Sequence, residues 1–148
     1  MKFTITRQNL HNGLAAVSAS IPSKTTLPVL SNILLETEED GVWMSGTDLD
    51  VSVRVKVPAE ITEGGSLTAP GKKLQEITRE LPDQPVEIST RSDQIELSCG
   101  RSRFKLNGLP ADEFPSLPGV NFESGIAVPG EDLQKLIHHT SFAVSTEE

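Results

Sequence analysis

A short strand that runs straight into an amphipathic helix occurs three times along this chain of 148 residues, and no other feature restricts its fold so strongly. The first copy spans residues 1–21 (MKFTITRQNLHNGLAAVSASI), the second 66–81 (SLTAPGKKLQEITREL) and the third 125–144 (GIAVPGEDLQKLIHHTSFAV). Each passes from a brief alternating run through two or three polar residues to a leucine: Leu10, Leu74, Leu133. Apolar residues then continue at helical spacing, as Leu14, Val17 and Ile21, as Ile77 and Leu81, and as Leu136, Ile137 and Phe142. That is the stripe of a helix with one buried face. A repeat of roughly sixty residues is too long for a solenoid of small units, and it fits a duplicated half-domain.

Between the helices the chain reads as strands. Helix one covers about residues 8–20 and stops at Pro22; Gly13 inside it calls for a packing reason. Residues 32–37 and 42–47 form a hairpin, turned by Asp40-Gly41, a pair that tolerates positive φ. Residues 50–57 (DVSVRVKV) put four valines on one face and polar residues on the other, as in an antiparallel sheet wetted on one side. Residues 58–65 read as a loop. The second half repeats the order: strand 66–69, helix 71–81, strands 85–89, 94–99 and 101–106. The expected fold class is therefore α+β, a duplicated strand–helix–three-strand unit with the helices on one face of antiparallel sheets. The Pro-rich stretch 108–119 reads as a linker that Phe114 and Leu117 can pack down. A third strand and helix begin at 122. Residues 1–119 then form one domain with its linker. Residues 120–148 are the opening strand and helix of another, cut off early, since an isolated strand and helix cannot make a core.

Net charge is −8, which taken as a sum argues against nucleic acid. The distribution argues otherwise. Between Arg7 and Lys24 there is no acidic residue, and helix two sets Lys72, Lys73 and Arg79 against Glu76 and Glu80. Acids crowd at 36–40, 48–50, 60–63 and 112–113. The local field matters more than the sum, so the helical face can meet a polyanion. Lys72 and Lys73 stand at the start of helix two, where cations gain nothing from the helix dipole; an external anion explains them, ordinary surface lysines being the plainer alternative. Tyrosine is absent and no aromatic residues interleave the basic ones. Any duplex contact should run through phosphates rather than bases.

Other candidate sites are thin. Asp48 and Asp50 share a face if the strand continues through them, and could meet one cation as in a small metal-dependent enzyme, but no third ligand is evident. His138 and His139 are adjacent on a helix and diverge by about 100°, which suits no single metal. His11 has no evident partner. Cys99, the single cysteine, excludes an internal disulfide and sits in a strand pattern where a buried thiol is commoner than a nucleophile. No catalytic set, cofactor loop, signal core or membrane span is found, so a non-catalytic cytoplasmic protein is expected. The last strand (RSRFKL) carries Phe104 and Leu106 on one face and is either an internal strand or a sheet edge open to another chain. A generic interaction module using that edge is a further alternative.

The segments MKFTITRQNL, PSKTTLPVLSNILLE, GTDLD, RSRFKLNGLPADEFP and FAVST, in this order, resemble the bacterial DNA polymerase III β subunits, the sliding clamps. The resemblance runs the length of the chain. It implies a DNA-clamp fold: three similar domains per protomer, and two protomers in a head-to-tail ring with helices inside. It implies a processivity factor that encircles duplex DNA, tethers the replicative polymerase and is placed by a clamp loader, without a cofactor. Lys24 and Lys72 match DNA-contacting positions, with Lys73 and Arg79 as a possible extension of the basic face. Phe104 and Leu106 match the strand that meets the partner protomer. The family's cleft for polymerase and loader peptides lies between the second and third domains and is mostly absent from this chain.

Overall fold

The computed structural model describes residues 1–22, 24–117, 119 and 125–145. The chain divides into two compact units, Met1–Leu117 and Pro118–Glu148.

In the first unit the order is β1 (Lys2–Thr6), α1 (Arg7–Ser18), β2 (Asn32–Glu38), β3 (Gly41–Thr47), β4 (Ser52–Pro58), β5 (Glu60–Glu63), β6 (Ser66–Pro70), α2 (Gly71–Glu80), β7 (Pro85–Arg91), β8 (Gln94–Cys99) and β9 (Ser102–Asn107). The β1-to-α1 junction turns on Thr6. Its hydroxyl accepts the Asn9 amide at 3.1 Å and so satisfies one of the free donors of the first turn. Leu10, Leu14 and Val17 then fall on one stripe and are completely buried. Gly13 lies on that side too. A Cβ there would stand 2.7 Å from Met44 Sδ and 3.1 Å from a Val57 methyl, so glycine lets α1 close onto β3 and β4.

Two antiparallel sheets result. One has the order β5-β1-β7-β8-β9 and the other β4-β3-β2-β6. The duplication is interlocked, because the first strand of each half joins the sheet of the other half. Phe3 of β1 lies opposite Ile88 of β7, and Ala69 of β6 lies opposite Ile33 of β2. The inner faces of both sheets and the buried stripes of both helices make one apolar core, with Phe3, Ile88 and Leu97 from one sheet, Leu35 and Met44 from the other, and Leu74 from α2. The outer faces are polar.

Three expectations change. Residues 60–63 are a strand, not a loop: β5 sets Ile61 opposite Phe3 and closes the free side of β1. Its shortness and its glutamates suit an edge, where negative charge discourages further pairing. The strand run of 50–57 starts only at Ser52, because Asp48 folds back on itself. Its Oδ1 accepts the amides of Asp50 at 3.0 Å and Val51 at 2.7 Å, a side-chain-closed turn. In the second unit α3 (Gly130–Thr140) forms, but residues 125–129 carry no strand, and 122–124 lie outside the described residues. A strand needs a neighbour for its backbone groups.

The linker is pinned at its start. Thr68 and Leu109 exchange backbone and hydroxyl hydrogen bonds at 2.9–3.0 Å, and Asn32 Nδ2 donates to the Thr68 hydroxyl at 2.8 Å. Phe114 is then buried at 6% exposure.

Trp43, on an outer face, has the Arg54 guanidinium 4.4 Å from its ring centroid and donates to Glu38 at 3.0 Å. Lys56 bridges Glu38 and Asp40, lying 2.6 Å from the latter. Its ammonium holds both carboxyl groups below the usual carboxylate range, and they hold the Lys56 ammonium above its own. Exposed pairs of this kind contribute little stability. For the depressed carboxyl groups that contribution is present above their unfolded values and lost as pH falls through the folded ones; for the raised lysine it is present below its unfolded value and lost as pH rises through the folded one. Lys56→Met is expected to raise the titration midpoints of Glu38 and Asp40 toward ordinary values, as read by carbonyl-detected NMR; unmoved midpoints would contradict the pairing.

Candidate nucleic-acid interface

The helices lie side by side and antiparallel, as contacts at both ends require. Arg7, at the start of α1, donates to the Arg79 carbonyl in the last turn of α2 at 3.0 Å. At the other end, a Cβ on Gly71 would touch Ile21 Cδ1 at 2.6 Å. Arg7 so places its charge where the α2 dipole is negative, away from the unfavourable start of its own helix.

The exposed side of α1 is uncharged, formed by Gln8, Asn12, Ala15, Ala16 and Ala19. Basic charge comes from α2 and from the loop after α1. Lys72, Lys73 and Arg79 are exposed, and so is Lys24. Lys72 lines a shallow groove of about 400 Å³ with Leu14, Ser18, Ile21 and Pro22. That puts it beside the segment that leads, two residues on, to Lys24. Seven residues separate Lys72 from Arg79, about 10 Å along the helix, so the basic positions spread along α2. The start of α2 carries no side-chain cap and no acidic residue.

Ion pairing sorts the lysines of the first unit. On the sheets, Lys2 pairs with Glu87, Arg54 with Glu36, Lys56 with Glu38 and Asp40, and Lys105 with Glu96. On the helical layer, among the described residues, Lys73 alone is paired, with Glu76 at 3.4 Å. Among the described residues Lys24, Lys72 and the Arg79 side chain have no carboxylate partner. A cation left unpaired on an acidic protein is free to exchange its counterions for a polyanion.

Phe104 and Leu106 are half-buried and pack against the core, alternating with exposed Arg103 and Lys105. β9 is a sheet edge, bonded to β8 alone. Among the described residues Arg101 and Arg103 have no carboxylate partner there. β4 is the matching edge of the other sheet, and it occupies the same place in its own half.

The remaining candidates fall away on geometry. Asp48 is committed to its turn and Asp50 is exposed beyond it; no cluster of three or more metal-binding side chains occurs among the described residues. His138 and His139 meet edge to face at 5.8 Å in the last turn of α3. Cys99 is 2% exposed, with its sulfur 3.6 Å from the Pro82 carbonyl. No helix among the described residues is long and apolar enough to cross a membrane.

Two positions escaped the sequence reading. Arg7 was legible only as a charge, and its role depends on α2 ending beside it. Leu49 adopts a positive φ of 83°, which nothing about leucine suggests.

Residues 1–118 match the family model described as DNA polymerase III beta subunit, N-terminal domain. A Beta sliding clamp from Caulobacter vibrioides is 42% identical over 151 residues, taking in all of this chain and 41% of the relative. One from Streptomyces coelicolor is 38% identical over 148 residues, with 39% of the relative covered. Among solved structures, the pol III beta of Caulobacter crescentus superposes with a TM-score of 0.94 at 42% identity, all of this chain matching 40% of that one. A DNA polymerase III subunit beta from Pseudomonas aeruginosa, solved bound to griselimycin, gives 0.93 at 36% identity and 41% coverage. The chain thus spans about two fifths of the length of these relatives.

Proposed function

The chain belongs to the DNA polymerase III beta subunit family, and from that premise we propose that it supplies the first domain of a sliding clamp. In this reading residues 1–119 are that domain and residues 120–148 begin the second. The whole protein encircles duplex DNA as a head-to-tail ring of two protomers. It works in the bacterial cytoplasm as a non-catalytic processivity factor, tethering the polymerase and placed on DNA by a clamp loader. The peptide cleft for those partners lies mostly outside this chain.

The observation that carries the reading is the sorting of charge. Sheet-face lysines are paired off, while Lys24 and Lys72 stand unpaired beside an uncharged α1. A ring that slides must hold DNA by enclosure, not by many ion pairs. A few free cations on an acidic body give a small counterion-release term and no base readout. Edge strand β9, with Phe104 and Leu106 behind it and Arg101 and Arg103 beside it, suits pairing with an acidic edge of the partner protomer.

The test uses the full-length protein. Loaded by a clamp loader and ATP onto nicked circular DNA, it should be retained on circles and lost when the circle is linearised. Loss that does not depend on linearisation would sink the topological reading. In direct binding, Lys24→Ala with Lys72→Ala is expected to lower the slope of log affinity against log salt by about 2. An unchanged slope would remove both lysines from the DNA face.

A further inference from the structure

Among its described residues the first unit leaves three large apolar side chains in solvent, and they sit together. Leu27 is 49% exposed, Leu49 59% and Val51 55%. Leu27 and Leu49 line one depression of about 510 Å³, floored by Leu30 and lipped by Lys24 and Asp48. Val51 stands in the same turn as Leu49, its carbonyl accepting the Asp48 amide at 3.2 Å.

Leu49 is doubly costly where it is. It is exposed, and its φ of 83° lies in a region that side-chain-bearing residues avoid. The conformation is held firmly: the Leu49 amide donates to the Thr47 hydroxyl at 3.0 Å, which itself donates to the Val51 carbonyl at 3.0 Å. Glycine would relieve the backbone and expose less apolar surface. Nothing inside the unit repays the leucine, which is the pattern of strain kept for a contact outside it.

Charge identifies the class of occupant. Asp48 engages only Oδ1 in the turn, and exposed Asp50 has no cation partner among the described residues. Asp48 lines the depression opposite Lys24, and exposed Asp50 stands two residues on in the same turn, so the aspartate side carries the more charge. Phosphates would be repelled on the aspartate side, so duplex DNA fits poorly. We propose that this depression docks a segment of another protein that presents one large apolar side chain beside a lysine or arginine. The apolar side chain fills the space between Leu27 and Leu49, and the cation meets Asp48 and Asp50. Lys24 borders both this depression and the proposed DNA face, so the inference rests on the aspartate side and on Leu27 and Leu49.

The probe is a six-residue peptide with phenylalanine between two lysines, and a control with glutamates in their place. Titrated into the isotope-labelled 148-residue chain, the lysine peptide should shift the amides of Leu27, Leu49 and Val51 saturably. The glutamate peptide, Leu49→Gly and Asp50→Asn should each weaken binding by about fivefold, roughly 1 kcal/mol by RT ln 5. Leu49→Gly should also raise the melting temperature by about 3 °C, which shows that the variant is folded. Equal binding of both peptides, or unchanged affinity in Leu49→Gly, would overturn the proposal. So would a short DNA duplex shifting these amides more than the lysine peptide does, or a self-association that Leu49→Gly abolishes.

Discussion

Replacing Phe3 with alanine is expected to remove about 4 kcal/mol of stability, the cost of deleting a buried aromatic ring and leaving a cavity. Phe3 is completely buried, in a strand flanked on both sides, opposite Ile61 and Ile88. Its strand begins the first half of the unit but is built into the sheet of the second. The cavity therefore opens toward elements of both halves. A domain of this size has roughly 5–15 kcal/mol in all, so the loss takes a large part of it. With a urea m-value of about 2 kcal/mol/M, the unfolding midpoint should fall by about 2 M. A fall below about half a molar would mean that the ring does not anchor the core.

Gly108→Ala should cost about 3 kcal/mol for a different reason, overpacking against rigid backbone. An alanine Cβ would stand 2.1 Å from the Thr68 carbonyl oxygen and 3.2–3.3 Å from Leu67 carbons. Neither side can yield. Thr68 is tied to Leu109 through its amide and hydroxyl, and the Gly108 amide donates to the Asp93 carbonyl at 2.7 Å. The melting temperature should drop by about 10 °C. Gly64→Ala is the control. Its nearest contact would be the Thr37 hydroxyl at 3.8 Å, so a change within about half a kcal/mol is expected. Equal effects at the two glycines would remove the clasp from any account of stability.

What could be read from the sequence was whatever depends on neighbours along the chain. The buried stripe of α1 and the alternation of Phe104 and Leu106 with basic residues follow from local spacing, and each appears in the fold. The hairpin between β2 and β3 forms as expected, but its turn is Glu39-Asp40 without positive φ, and Gly41 already pairs with Glu38. Partnership across the chain was not legible. Residues 60–63 hold one apolar side chain between a proline and two glycines, and only β1 makes them a strand. The alternating run of valines suggested a strand through Asp50, yet Asp48 closes a turn there because its carboxylate competes for the backbone amides. On the candidate interface, the positions of Lys24 and Lys72 could be named from the sequence. That they lack carboxylate partners, while the sheet lysines have them, depends on which glutamates the strands bring alongside.

The exchange of first strands between the two halves has a consequence for synthesis. Lys2 pairs with Ser89, and Met1 accepts the Thr90 amide at 2.9 Å. Emerging from the ribosome, β1 has no β7 to join until more than eighty further residues have been made. At about 5–20 residues per second that is a wait of roughly 4–17 s, during which Phe3 and Ile5 are presented to whatever is near the exit tunnel. The N-terminal half cannot complete its own sheet either, since that sheet waits for β6. β1 can meet β5 earlier, but its opening residues, made first, wait longest for the neighbour on their other side.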